Sequence, residues 1–144
     1  MEAMNSDVMI PEGFTALKKR PGFLRSCGDF YIHDELPILA VRLESHHLNF
    51  VHIAHGGFLA TLADSAFGVI LRRESVSQTP AITVNLNVDY IGPVHEGDWL
   101  EAHVDVLKTG GTFTNARCLL KVGARLVLRA NGVFTSWKGK LPCT

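Results

Sequence analysis

One long stretch of helical periodicity, followed by four strand-like segments, constrains the fold of this chain most. Between Gly56 and Arg73 apolar residues recur at intervals of three and four, which gives one long apolar helix face. Beyond the helix the period changes to two, and alternating segments cover Ile82–Tyr90, Trp99–Leu107, Thr112–Val122 and Arg125–Trp137. One helix and a sheet of successive strands predict an α+β fold.

The residues before the long helix complete the predicted fold. Pro11 opens a short helix that Pro21-Gly22 ends after Arg20, and Pro37–Ser45 is a largely apolar strand candidate. We therefore expect a five-stranded, mostly antiparallel sheet whose strand order the sequence leaves open. The chain is predicted to be a single domain over residues 1–144, with an N-terminal extension (1–35) and a core (36–137).

Composition excludes several classes of protein. The chain has 144 residues, of which 47% are hydrophobic and 19% charged, which is too apolar for a disordered chain. Fourteen Lys+Arg balance 14 Asp+Glu, so we expect no nucleic-acid partner, because such proteins usually carry a basic excess. There is no run of about 20 apolar residues to cross a membrane and no basic-then-apolar leader. We expect a cytoplasmic protein.

Cysteine and histidine spacing argues against metal and disulfide scaffolds. The three cysteines (Cys27, Cys118 and Cys143) are far apart, with no CxxC pair. Cys118 lies in an apolar run and is expected to be a buried hydrophobe rather than a nucleophile. Seven histidines are present, but no carboxylate or cysteine joins them at zincin-like spacing. We therefore predict no metal and no cofactor. Serine-hydrolase elbow and P-loop motifs are also absent from the sequence.

Two features of the helix point to chemistry. His55-Gly56-Gly57 precedes it with no Ser, Thr, Asp or Asn to cap the first N–H groups, which predicts free amides able to bind an oxyanion. Asp64 lies two turns into an otherwise apolar segment, where a carboxylate is costly unless it is paired, hydrated or functional. Taken singly, each has a plainer explanation: loop geometry for the glycines, and a solvated helix edge for the acid.

Taken together, these residues resemble a known family. The segment His47–Gly68 is similar to the hotdog-fold thioesterases, specifically the PaaI-like (phenylacetate-pathway) acyl-CoA thioesterases, whose motif reads N-x5-HGG-x6–7-D. Here it comprises Asn49, His55-Gly56-Gly57 and Asp64. The resemblance extends through Thr83–Val94 and covers roughly Leu36 to Trp137. It implies a hotdog fold, in which the sheet wraps a long central helix and dimers form a continuous sheet.

The resemblance also implies a role for each motif residue. The Gly56 N–H would bind the thioester carbonyl as an oxyanion hole, and His55 would position that turn. Asn49 would orient the attacking water. Asp64 would act as general base, or as nucleophile, and Thr83 would assist it. In such proteins Asp64 and Thr83 come from one subunit and the other three from its partner, in a homodimer or a homotetramer built as a dimer of dimers.

Further residues are expected to contact the substrate. Gly57 belongs to the same turn, and His52 stands where relatives usually carry glycine, so we expect it to shape the acyl pocket. Coenzyme A is polyanionic. Lys108 and Arg117 are therefore candidates for its phosphates, with Lys121 and Arg125 near the next turn, although solvated strand ends explain these charges equally well.

The predicted function is acyl-CoA thioesterase activity. Two alternatives remain open at this point: a hotdog hydratase or dehydratase of enoyl- or hydroxyacyl-thioesters, and a non-catalytic acyl-CoA-binding protein. The sequence does not distinguish phenylacetyl, benzoyl-type and fatty acyl groups.

Overall fold

The computed structural model describes residues 9–142, so Cys143 lies outside the described residues. Its elements follow in the order β1 (Phe14–Ala16), β2 (Phe30–His33), β3 (Ile38–Arg42), α1 (Gly56–Glu74), β4 (Ala81–Tyr90), β5 (Trp99–Thr109), β6 (Phe113–Val122) and β7 (Arg125–Ser136). Short 3-10 helices cover Phe23–Cys27 and Ser45–His47. Within residues 9–142, no helix combines the length and apolar character that a bilayer crossing requires.

Helix α1 forms where its periodicity predicts. Its apolar stripe is buried against the sheet, and Phe67 packs on Phe134 of β7 with ring centroids 4.8 Å apart. Complete burial of one such side chain contributes about 1.5–3 kcal/mol. Arg72 and Arg73 lie in the last turn, where the negative end of the helix dipole favours cations. The buried residues of the stripe are Leu59, Leu62, Ala63, Ala66, Phe67 and Ile70.

The strands form one antiparallel sheet in the order β1-β2-β3-β5-β6-β7-β4. The hairpins β5–β6 and β6–β7 make a meander, and β4 lies beside β7 at the edge. Inward residues of β5 and β6 are buried against the helix, and they include Cys118, whose burial raises the pKa of its thiol to about 12. Cys118 is therefore a buried apolar side chain, as predicted, and the α+β prediction is confirmed.

The N-terminal region differs from the prediction. The short helix expected from Pro11 to Arg20 is wrong: a turn with Gly13 at φ +91° leads into β1, which pairs with β2. Phe14 packs edge-on against Trp99 at 5.3 Å. With these two short strands the sheet formed by residues 9–142 has seven strands rather than five. A strand of three or four residues is too short to show a period of two, so only its pairing reveals it.

A β-bulge in β4 positions the site. The register with β7 shifts between Thr83 and Asn85, so Val84 is an extra residue and the face of the strand changes there. As a result Thr83 faces α1 together with Leu86 and Val88, although strict alternation would place it on the opposite face.

Candidate active site

A histidine caps the start of α1. His55 precedes the first helical residue, and its Nδ1 accepts a hydrogen bond from the Gly57 N–H at 2.9 Å. The expectation of an uncapped helix start is therefore wrong, because a neutral imidazole supplies the acceptor that Ser, Thr, Asp or Asn usually provides. Gly57 is a predicted substrate-binding residue, and its N–H is engaged within the chain by this hydrogen bond.

The neighbouring Gly56 amide remains available. Among the described residues no acceptor bonds to its N–H, and it lies at the positive end of the helix dipole. The Tyr90 hydroxyl donates to the Gly56 carbonyl at 2.7 Å. A Cβ on Gly56 would lie 3.3 Å from the Tyr90 ring, so glycine allows β4 to approach this turn closely. Tyr90 was not among the predicted site residues, since only the tertiary contact gives it this position.

Asn49 organises the loop before the helix. Its Oδ1 accepts from the N–H groups of Val51 (3.0 Å) and Ile53 (3.3 Å). The oxygen is thereby committed to the loop, which leaves the Nδ2 protons as the groups Asn49 can offer to a ligand. His52 has φ +63°, so the conformation that suits glycine is present without glycine. Its side chain is exposed and lines neither the cavity between α1 and residues 17–25 nor the smaller cavity around His47 and Phe58.

Asp64 and Thr83 are joined by a hydrogen bond. The Thr83 Oγ1 donates to Asp64 Oδ1 at 2.7 Å, across the gap between α1 and β4. Asp64 is half-buried and Thr83 is exposed. Oδ2 of the carboxylate has no protein donor among the described residues, so it can accept from a water molecule. The arrangement suits a carboxylate that orients water and removes its proton.

Within one chain the Gly56 amide and the Asp64 carboxylate lie at two separate places. Gly56 and Asp64 are eight residues apart on α1, or about 12 Å along its axis at about 1.5 Å per residue. Reacting atoms must approach to about 3–3.5 Å. The oxyanion donor and the carboxylate therefore lie about two helical turns apart on the same chain.

The predicted coenzyme A cations lie elsewhere on the sheet. Arg117 is paired with Asp105 across β5 and β6, with Nε 3.1 Å from Oδ2, and it points away from α1 because Ala116 and Cys118 on either side are buried. Lys108 is exposed near the β5–β6 turn. Lys121 lies toward the opposite end of β6, so a single chain does not gather these cations.

The described histidines include one group with metal-ligand potential. A nitrogen or oxygen from each of Glu44, His46 and His47 lies within 4.8 Å of the others. Both ring nitrogens of His47 are already used, however: Nδ1 accepts from the Glu44 N–H at 2.9 Å, and Nε2 donates to the Cys27 carbonyl at 2.6 Å. His47 therefore ties the N-terminal segment to the loop before α1 instead of offering a lone pair to an ion.

Sequence comparisons agree on one family. The family model described as Thioesterase superfamily matches residues 52–128, which include Gly56, Asp64 and Thr83. A Pseudomonas aeruginosa protein provisionally named an esterase is 37% identical over 128 residues, covering 87% of this chain and 96% of that protein. Acyl-coenzyme A thioesterase 13 of Homo sapiens is 29% identical over 133 residues, covering 89% and 93%.

Solved structures agree on the fold. A mutant of the phenylacetic acid degradation protein PaaI from Thermus thermophilus is 25% identical with a TM-score of 0.63, over 85% of this chain and 92% of that one. The BH2602 protein of Bacillus halodurans, solved with CoA, is 23% identical with a TM-score of 0.65, over 69% and 66%. The hotdog fold and the likeness to PaaI proteins are confirmed.

Proposed function

The chain belongs to the thioesterase superfamily, and we propose that it hydrolyses an acyl-coenzyme A thioester to a free acid and coenzyme A. The observation that carries the proposal is the hydrogen bond between Thr83 of β4 and Asp64 of α1. This bond fixes the Asp64 carboxylate between the two elements and leaves one of its oxygens free. The CoA bound to the structurally similar BH2602 protein supports coenzyme A as the thiol.

The proposed reaction uses the groups described above. Asp64 Oδ2 accepts a proton from water as the water oxygen attacks the thioester carbonyl carbon. The carbonyl oxygen, now negative, receives a hydrogen bond from a Gly56 N–H. One donor of this kind is worth about 3–4 kcal/mol of barrier. When the intermediate collapses, the carbon–sulfur bond breaks, and the proton held by Asp64 neutralises the departing thiolate.

We propose that two copies of the chain build each site. The Gly56 amide and Asp64 lie about two helical turns apart on one α1, a separation that favours a second copy bringing its Gly56 turn to the first copy's Asp64. Strand β4 is suited to this association, since the described residues pair only one of its edges, with β7. Ile82 and Val84 on β4 are 41% and 54% exposed. An unpaired apolar edge favours pairing with another strand.

Thiol release tests the proposed reaction. The purified protein is incubated with a panel of phenylacetyl-, benzoyl- and fatty acyl-CoAs, and free thiol is measured with a colorimetric reagent. We expect turnover with at least one of them, and a loss of about 10²-fold or more in Asp64→Asn with the fold intact by circular dichroism. Hydration of an enoyl-CoA without thiol release, or binding without turnover, would contradict the proposal.

The chain offers a matched control for this variant. Thr15 donates to Asp34 at 2.6 Å, in an exposed Thr–Asp pair near the other edge of the sheet. The Asp34→Asn variant removes the same charge and weakens the same kind of hydrogen bond. It should hydrolyse the thioester at the wild-type rate.

A further inference from the structure

A groove of about 660 Å³ runs beside the second half of α1, on the side of the N-terminal segment. Its helix wall consists of one stripe that includes Ser65, Gly68, Val69 and Arg72. The opposite wall comes from residues 17–25, around Pro21-Gly22. Its apolar surface is provided partly by Leu17, Leu24, Phe30 and Ile32. The groove is therefore an apolar channel between the helix and a segment that the predicted motif does not include.

The groove lies next to the proposed catalytic carboxylate, although neither Asp64 nor Thr83 lines it. Gly68 is one helical turn beyond Asp64, and Ala81 lies two residues before Thr83 on β4; both residues line the groove. A Cβ added at Gly68 would have no atom within 4 Å, so the absence of a side chain leaves this stretch open. An acyl group whose thioester carbon is held at Asp64 can pass along Gly68 into the groove.

The groove is strongly cationic although the chain is neutral. Its lining includes Lys18, Lys19, Arg20, Arg25, Arg72 and Arg73 and no carboxylate. Lys19 is paired with Asp29, and Arg73 donates to two backbone carbonyls. Among residues 9–142, the side chains of Lys18, Arg20 and Arg25 make no ion pair with a carboxylate. Positive charge without a protein counter-ion favours an anionic ligand.

Resting on the proposed thioesterase activity, we infer that this groove binds the acyl group of the substrate, and that this acyl group ends in a carboxylate. The apolar walls bury its methylene chain, and the cations at residues 18–25 and 72 bind the terminal anion by charge-assisted hydrogen bonds. Arg72 lies eight residues beyond Asp64, about 12 Å along the helix. With the reach of an arginine side chain, this distance suits a monothioester of a medium-length dicarboxylic acid.

Paired substrates test the charge preference. We compare adipoyl-CoA and suberoyl-CoA with hexanoyl-CoA and octanoyl-CoA, which have the same chain lengths without the terminal charge. The wild-type kcat/KM should be higher for the acidic member of each pair. In the variant Arg20→Gln/Arg25→Gln it should fall about tenfold or more for the acidic substrates and change little for the neutral ones. The variant Lys138→Gln/Lys140→Gln loses two positive charges outside the groove and should keep the wild-type ratio.

A second set of substrates distinguishes binding of the acyl carboxylate by these cations from binding of the coenzyme A phosphates. The same acyl groups are offered as N-acetylcysteamine thioesters, which lack the nucleotide. We expect the preference for acidic acyl groups to persist with these thioesters, and to be lost again in Arg20→Gln/Arg25→Gln. It is overturned if the variant slows all CoA thioesters equally and no N-acetylcysteamine thioester, because the cations then bind the nucleotide. The inference is also overturned if wild type and Arg20→Gln/Arg25→Gln have the same ratio of kcat/KM for acidic to neutral substrates. No thiol release from any thioester contradicts the proposed function itself, and with it this inference.

Filling the groove tests the path of the acyl group. Gly68→Leu places a side chain in open space, so it should fold, and it should lower kcat/KM for suberoyl-CoA more than for acetyl-CoA. Glu74→Leu, which places the same side chain on α1 outside the groove, is the matched control and should keep the chain-length preference of wild type. Gly68→Ala adds a single methyl group and should lower kcat/KM for suberoyl-CoA less than Gly68→Leu does. Equal losses with long and short acyl groups in Gly68→Leu would contradict the assignment.

Discussion

Thr83 owes its proposed role to a single hydrogen bond, which keeps one oxygen of Asp64 in a fixed direction. Thr83→Val preserves the shape and removes the donor, so we expect kcat to fall about tenfold with a smaller change in KM. Thr83→Ser restores the hydroxyl and should recover most of the activity in the thiol-release assay. Thr15→Val, which removes the donor of the matched Thr–Asp pair, should have no effect. Equal activity of Thr83→Val and wild type would contradict a role for the Thr83–Asp64 hydrogen bond in catalysis.

His47 makes the stability of the protein depend on pH. Burial lowers the pKa of its imidazole below the usual 6.5, with the positive field of His46 acting in the same direction. The neutral ring accepts from the Glu44 N–H and stacks on Phe58 with centroids 4.0 Å apart. Protonation places a proton on Nδ1 and opposes the Glu44 hydrogen bond. The unfolded chain therefore binds this proton more readily than the folded one.

A direct consequence is a loss of stability in mild acid. The contribution of His47 is fully present above the unfolded pKa of 6.5 and is lost as pH falls toward the lower pKa of the folded state. The free energy of unfolding in urea, measured at about pH 7.5 and about pH 5.5, should fall more in wild type than in His47→Gln, which does not titrate. If the free energies of unfolding of wild type and His47→Gln differ by the same amount at both pH values, this prediction is contradicted.

At the scale of elements, the bulge in β4 decides which face Thr83 occupies. Leu86 and Val88 pack against the core on the face toward α1, so the extra residue at Val84 is what lets Thr83 share that face. Deleting Val84 removes the extra residue and leaves Thr83 two positions before Leu86, so regular alternation keeps Thr83 on the face toward α1. The deletion variant should therefore keep the Thr83–Asp64 hydrogen bond and most of the turnover, as should Val84→Thr, which keeps the bulge. A loss of turnover in the deletion variant as large as that of Thr83→Val would contradict this account of the register.

The start of α1 is held by contacts from two other parts of the chain. His55 caps Gly57 from within the turn, while Tyr90 of β4 binds the Gly56 carbonyl. The His55 N–H also donates to the His47 carbonyl at 2.8 Å. These contacts fix the direction of the free Gly56 amide before a substrate arrives, which is the condition under which an oxyanion donor is most effective.

At the scale of the whole molecule, the proposed site requires two copies of the chain, and mixed dimers test this. Asn49→Asp keeps an oxygen acceptor for the loop and removes the amide donors, whereas Asp64→Asn removes the base. Each variant alone should be nearly inactive. Equal co-expression should recover about a quarter of wild-type activity, because half of the dimers are mixed and each of these keeps one intact site.

The control for this experiment combines two substitutions, at Asp64 and Thr83, which the same subunit contributes to each proposed site. Mixing Asp64→Asn with Thr83→Val leaves a defect in every site, so the activity should not exceed the mean of the two separate variants. If Asn49→Asp and Asp64→Asn likewise give only the mean of their separate activities, the site lies within one chain.

The sequence by itself determined the local features of this protein. The periods of three to four and of two predicted α1 and strands β4 to β7, because amphipathic patterns reflect which face each regular element buries. The motif around Asn49, His55 and Asp64 predicted the hotdog family without any tertiary contact. These features depend on residues close together in the chain.

Only the tertiary structure decided the features that depend on distant residues. Strands β1 and β2 are too short to carry a period and form because they pair. The bulge at Val84 appears only in the register with β7, so strict alternation predicts the wrong face for Thr83. The Tyr90 contact, the use of both His47 nitrogens and the cationic groove likewise join segments that are remote in sequence. Their energies come from pairing, hydrogen bonding and burial between those segments, which no local pattern records.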